Sequence, residues 1–341
     1  MATNFYDTWL DLWEKSQREK KAARKVIHSE ELEWVNTKQD YKAALMVAPE
    51  TGFRTWGGIT MIAEIPPGWH TGSHSHGEEA IYIIKGKGFS IIDDRAYDWE
   101  EGSCIRIPFG SVHQHFNDGE ELVQYTSAMA PHLEHLCGLA KFEQYEDCGE
   151  TSGSISRPKA TESGVDPSGM RLVLRRSEME ISYGSQRPKN APNTRFIESM
   201  PAEVREAMFG EGKDKGMRKT IINLMASRPD FVGEEVEMTH IFADPPGACG
   251  GKHGHMEAIL YVLDGEGYAI VDDEKVPWKK GSSVHVQGPQ TAHQFFNTGT
   301  VDYKQLRIHF GIRGNFFQPI AKKKFPYVFF EPRRESFADV S

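Results

Sequence analysis

The chain repeats itself, and the repeat limits its possible folds more than any other feature. Moving the 341-residue sequence along itself from His74 to His253 lays Thr60–Gly68 (TMIAEIPPG) on Thr239–Gly247 (THIFADPPG). The same shift lays His76 on His255, Glu78 on Glu257, Tyr82 on Tyr261, Gly86 on Gly265 and Gly88 on Gly267. It also lays Asp93-Asp94 on Asp272-Asp273, Trp99 on Trp278 and Gly102 on Gly281. After one inserted residue, His113-Gln114 meets His293-Gln294 and Phe116-Asn117 meets Phe296-Asn297. A duplication of this length means one fold built twice, with units near 40–130 and 215–315. The sequence therefore divides into an arm (1–35), a first unit (36–140), a connecting segment (141–214) and a second unit with a C-terminal extension (215–341).

Within each unit the segments read as short strands between turn signals. Ile81–Ile84 and Phe89–Ile92 are rich in β-branched and aromatic residues, with Gly86-Lys87-Gly88 between them and Asp93-Asp94 after them. Ile259–Leu263 and Tyr268–Val271 repeat the pattern around Gly265-Glu266-Gly267. Closely spaced short strands predict all-β barrels or sandwiches. Phe5, Trp9, Leu12 and Trp13 recur at a helical spacing within residues 5–27, which predicts a helix packed on a barrel or on a second subunit. Residues 146–170 read as a linker, Pro201–Phe209 as a short helix, and Lys322–Lys324 as a solvated surface.

Composition narrows the partners. The formal charge is −9 with pI near 5.9, without the clustered basic surface that nucleic-acid binding needs. No apolar run approaches the ~20 residues of a membrane helix. The first residues lack the basic and apolar regions of a signal peptide. Cys104, Cys137, Cys148 and Cys249 show no CxxC spacing, which predicts a cytoplasmic protein with free thiols. Cys249 precedes His253, and the plain reading is a buried, inert thiol.

Two histidines at i and i+2 on a strand project to one side. His74 and His76 therefore share a face, as do His253 and His255, and His113 and His293 can close a third position. Neutral imidazole suits Fe, Mn, Ni, Cu or Zn, and three protein ligands leave positions open. One metal per unit is expected.

These residues also carry a resemblance. Gly68-x5-His74-x-His76, Glu79-x6-Gly86 and Gly102-x5-Pro108-x-Gly110-x2-His113-x3-Asn117 resemble the two cupin motifs. Gly247-x5-His253-x-His255, Gly281, Pro289 and His293-x3-Asn297 resemble them again. The resemblance implies two tandem double-stranded β-helix (jelly-roll) barrels with an N-terminal helix and short connecting helices. Glu79 fits the cupin count for a fourth ligand, whereas the internal repeat pairs Glu78 with Glu257, so three-His and three-His-plus-Glu sites both stay open. Glu257 is a candidate in the second barrel.

A three-His bicupin with an N-terminal helix is similar to gentisate 1,2-dioxygenase and the salicylate and hydroxynaphthoate ring-cleaving enzymes. That similarity implies an Fe(II)-dependent, extradiol-type dioxygenase that cleaves a C–C bond of a hydroxy-aromatic acid with O2. It also implies a homo-oligomer, dimer or tetramer. Arg106, Gln114 and His115 in the first barrel, and Gln294 and Arg307 in the second, are candidates to meet substrate. An inward Arg would match a carboxylate with two hydrogen bonds. The alternatives are a non-oxidative lyase, decarboxylase or isomerase using Mn, Ni or Zn, and a non-catalytic binding bicupin.

Overall fold

The computed structural model describes residues 4–151, 157–158, 164–183, 220–225, 228–250, 252–255, 257–288, 291–310 and 329–331. The chain is predominantly strand, arranged as two barrels of facing sheets. In the first barrel one sheet runs Val173–Leu174, Cys104–Ile107, Glu79–Lys85, Val123–Met129, Ile59–Ile65, Lys42–Leu45. Its facing sheet is built on Ser73–Ser75, His113–Phe116 and Lys87–Ile92. The second barrel repeats this with Ser283–Val286, Ala258–Asp264, Tyr303–Phe310 and Val236–Asp244 on one side. Glu266–Val271, Thr291–Asn297 and Lys252–His255 lie on the other.

Two local devices explain why the hairpins recur. Asp93 and Asp94 both have positive φ (44° and 64°), as do Asp272 and Asp273 (48° and 67°). Two consecutive left-handed residues suit the twist of a tight hairpin, and Asp tolerates that conformation better than most side chains. Gly88 and Gly267 are needed for a different reason. A Cβ on either would sit about 2 Å from the carbonyl oxygen of Phe116 or Phe296 on the neighbouring strand.

Strand alternation divides the side chains between two cores. In Val123–Met129, Val123 and Tyr125 join the core of the first lumen, while Ala128 points to the seam between barrels. In Tyr303–Phe310, Tyr303 joins the second lumen, while Leu306 and Ile308 point to the seam. The seam cluster draws Ile62, Ala80 and Tyr82 from one barrel and Ile241, Ile259 and Tyr261 from the other. A strand buried on both faces loses its polar side, which is why Ala80–Ile84 and Ala258–Leu263 read as continuous apolar sequence.

The barrels also exchange strands. Val26–Ile27, before the first barrel, pairs with Ser283–Val286 of the second. Val173–Leu174, before the second barrel, pairs with Cys104–Ile107 of the first. Each exchanged strand carries the same ion pair, Arg24 to Glu31 at 2.5 Å and Arg171 to Glu178 at 3.4 Å. The repeat thus extends to Arg24-x-Val26 and Arg171-x-Val173, at a different spacing from the rest.

The predicted N-terminal helix is present as Phe5–Leu10 and Leu12–Ala22. Asn4 caps it by accepting from the Tyr6 and Asp7 amides. None of its residues is buried, and Phe5, Trp9, Leu12 and Trp13 are exposed in the single chain. Its far end is tied down by Lys20 to Asp272 (2.8 Å) and by Arg54 to Ser16 (3.0 Å). No described helix is long and apolar enough to cross a membrane. The predicted helix Pro201–Phe209 and the run Lys322–Lys324 lie outside the described residues.

Candidate metal centre

In the first barrel His74, His76 and His113 converge. Their potential ligand atoms all lie within 4.8 Å of one another, and all three side chains are buried. Backbone register explains this: His74 sits directly across from His113 on the paired strand. The His76 Nδ1–H donates to the Gly77 carbonyl (2.9 Å) and the His113 Nδ1–H to the Ser111 carbonyl (3.0 Å). In its neutral form each ring is thereby held in the tautomer that leaves Nε2 with a lone pair facing the cluster.

Glu79 opens the neighbouring strand and points into the same space. One carboxylate oxygen is 3.5 Å from both His76 Nε2 and His113 Nε2, and the other accepts from the Ser127 hydroxyl. Burial alone would raise the Glu79 pKa, but His113 and His76 outweigh it and hold the carboxyl well below its usual range. Burial, then the neighbouring His113 and His76, push His74 down to about 2, so it is neutral. His74 Nδ1 and His113 Nε2 are buried without hydrogen-bond partners. Orphaned buried nitrogens are costly unless something accepts their lone pairs. Imidazole nitrogens and one carboxylate form a donor set that a divalent transition metal would satisfy, the metal taking the place of any proton they share.

His115 extends the cluster, with a ring nitrogen within 4.8 Å of Glu79 and His113 ligand atoms. Its Nδ1 meets Ser90 Oγ at 2.7 Å, and Ser90 Oγ accepts the Trp99 indole N–H at 2.8 Å. The Ser90 hydroxyl has a single proton, which is left for His115 Nδ1. When Ser90 donates it there, all three groups are satisfied and His115 Nε2 carries the ring proton. Burial, then His113, lower the His115 pKa to about 3, so the ring is neutral and acts as an N–H donor.

The second barrel repeats the backbone frame, with His253 across from His293. The His293 Nδ1–H donates to the Thr291 carbonyl (3.1 Å), as His113 does to Ser111. The side chains of His253 and His255 lie outside the described residues. Ala258 stands where the first barrel has Glu79, Phe295 where it has His115, and Ala269 where it has Ser90. Arg307 is half-buried, on the strand face shared with Tyr303 and opposite Leu260 of the second lumen.

Four sequence expectations need correction. Arg106 does not face the lumen: its Nε bonds Glu78 Oε1 at 2.6 Å on the seam side of its strand, beside Cys104. Glu257 turns to the seam instead of the lumen: its carboxylate accepts from His285 Nε2 (2.7 Å) and from the Trp56 amide (3.1 Å). Gln114 and Gln294 lie on the outer face of their strands, where their amides donate to the Thr71 carbonyl (2.9 Å) and the Gly250 carbonyl (2.8 Å). These glutamines join neighbouring strands and do not meet the pocket. Cys249 is buried, as the plain reading expected.

Sequence reasoning missed Ser127, Ser90, Trp99 and the Asp40–Tyr125 pair. The Tyr125 hydroxyl donates to Asp40 at 2.6 Å, and burial pushes the Asp40 pKa up to about 7. Ser90 and Ser127 lie on strands remote in sequence from the residues they hold, and nothing in the local pattern marks them.

Comparison with known proteins agrees with this architecture. The Cupin domain family matches residues 61–129 and 240–308. A 1-hydroxy-2-naphthoate dioxygenase from Nocardioides sp. strain KP7 is 24% identical over 228 residues, 64% of this chain and 54% of that protein. The chain thus matches about half the length of that relative. Salicylate 1,2-dioxygenase from Pseudaminobacter salicylatoxidans aligns over 85% of this chain and 80% of its own (TM-score 0.55, 14% identity). An oxalate decarboxylase aligns over 84% and 77% (TM-score 0.57, 15% identity). At such identities the solved structures establish the fold alone.

Proposed function

We propose, taking as premise that the chain is a bicupin, that it is an Fe(II)-dependent dioxygenase that cleaves a C–C bond of a hydroxy-aromatic acid with O2. The observation that carries this reading is the first-barrel cluster of His74, His76 and His113, with the neutral N–H donor His115 beside it. The relation to the naphthoate dioxygenase supports it. His76 Nε2, His113 Nε2 and a ring nitrogen of His74 would hold the metal, with Glu79 as a fourth donor. The metal would supply a centre that holds the substrate's oxygens and O2 together and lets electron density pass between them.

The protein's own groups do the rest. Ser127 steadies Glu79, and the Gly77 and Ser111 carbonyls fix the His76 and His113 rings. His115 Nε2–H offers a hydrogen bond to negative charge that develops on an oxygen in the pocket. Ile81 and Ile107 line the lumen below and exclude water. Phe142 covers His76 at the rim, with ring centroids 5.3 Å apart. In the second barrel Arg307 is the remaining candidate to meet a carboxylate.

One observation favours a second reading. Glu79 beside three histidines is also a donor set suited to a non-oxidative, Mn-type lyase or decarboxylase, and an oxalate decarboxylase shares the fold. One experiment separates the two. The protein is loaded with Fe(II) under argon, and O2 uptake is followed with gentisate, salicylate and 1-hydroxy-2-naphthoate. Substrate-dependent uptake is expected. Absence of uptake with every acid, together with CO2 release from a dicarboxylate by the Mn(II) form, would replace the first reading with the second.

A further inference from the structure

His76 and Glu79 are separated by Gly77 and Glu78, and Glu78 leaves the barrel. Its Oε1 receives Arg106 Nε, and its Oε2 receives three successive amides of the second barrel: Glu234 (2.7 Å), Glu235 (2.6 Å) and Val236 (3.2 Å). In return the Glu78 amide donates to Glu235 Oε2 at 3.3 Å. The side chain is 1% exposed. Successive amides aimed at one oxygen form a fixed anion cradle.

The other barrel mirrors this arrangement. Glu257, the repeat partner of Glu78, receives the amide of Trp56, the repeat partner of Glu235. It also receives His285, the repeat partner of Arg106. Each barrel thus sends the glutamate that follows its His-x-His pair across the seam, and each receives the other's. Neighbouring residues of a strand point to opposite faces, so Glu78 on the seam fixes the backbone that aims Glu79 into the lumen. Gly77 adds a second restraint. Its missing side chain leaves room for the buried Glu134 carboxylate, with which a Cβ would collide.

We propose that Glu78 is a positioning residue, through which the second barrel sets the geometry of His76 and Glu79 in the first. The inference rests on the first barrel being a metal centre. It makes metal binding in one barrel depend on residues of the other, although among the described residues no hydrogen bond or ion pair joins the second barrel to the ligands. Groups that hold metal ligands in place typically change affinity by about 10–100-fold when removed.

The test uses full-length protein carrying His293→Ala, so that only the first histidine set is intact, and titrates it anaerobically with Co(II). The readouts are affinity and the visible Co(II) absorption bands. Glu78→Gln loses the charge that both Arg106 and the amide cradle address, and Co(II) affinity is expected to fall at least ~10-fold with displaced bands. Glu235→Ala, a second-barrel change that removes the acceptor of the Glu78 amide, is expected to displace the bands the same way by less. If Glu78→Gln does not fold, Glu235→Ala decides. A purely structural latch would lower the melting temperature and leave the bands superimposable with affinity within twofold, and that result overturns the proposal alone. A parent protein that binds no Co(II) overturns the metal centre itself, and the positioning role with it.

Discussion

The two barrels share a backbone frame and differ in what fills it. At the first position of equivalent strands the first barrel has Glu79 and the second Ala258. Where the first has His115, held by Ser90 and Trp99, the second has Phe295, Ala269 and Trp278. Where the first has Ser127 opposite Met61, the second has Arg307 opposite His240. The first lumen thus surrounds its histidines with a carboxylate and a neutral N–H donor. The second removes both and adds a cation. Duplication kept the strand register, which packing enforces, and released the pocket residues, which only chemistry constrains.

The sharpest way to break this contrast is to disable one histidine set at a time. His113→Ala should lower substrate-dependent O2 uptake by Fe(II)-loaded protein at least ~100-fold, beyond what loss of a supporting contact costs. His293→Ala should retain most of it. Equal losses would mean that the barrels work alike. A milder change makes the first pocket like the second. His115→Phe should lower kcat about 100-fold with metal content unchanged, the low end for loss of one hydrogen-bond donor to developing negative charge. Ser90→Ala removes one neutral hydrogen bond and should cost ~5-fold. An unchanged kcat in both would remove His115 from the chemistry.

The smallest effect concerns Asp40, which lies behind the first pocket. Its folded pKa, near 7, exceeds the ordinary aspartate value of 3.8. Between these values the folded state holds a proton that the unfolded chain has lost. Stability from this group is therefore full below pH 4 and declines as pH rises toward 7, by at most about 1.4 kcal/mol per unit. Asp40→Asn should lack that slope between pH 5 and 7 in chemical unfolding. Parallel curves for the two proteins would show that Asp40 is already ionised.

Much of the site was legible because a strand has a two-residue period. His74 and His76 had to share a face, and the duplication placed His113 and His293 in the same relation to each pair. The cupin resemblance offered Glu79, which lies beside the first cluster, but left it undecided against the internal repeat, which pairs Glu78 with Glu257. Arg106 and Glu257 were misread for a single reason. Alternation says that neighbours face opposite ways, but not which side is lumen and which is seam when both are buried. The exchanged strands escaped because Arg24-x-Val26 repeats as Arg171-x-Val173 at a spacing different from that of the barrels.

The sequence by itself determined that one strand pattern is built twice, that His74 and His76 project together, and that an Asp-Asp pair ends equivalent strands. These follow from backbone geometry and local sterics, which act over a few residues. Only the tertiary structure decided that Glu78 crosses to the other barrel while Glu79 stays, and that Arg106 serves the seam. It also decided that Ser90 and Trp99 set the proton on His115. Those choices depend on which groups meet across long loops. Burying a carboxylate costs several kcal/mol unless donors surround it, and for Glu78 three of those donors belong to the other barrel.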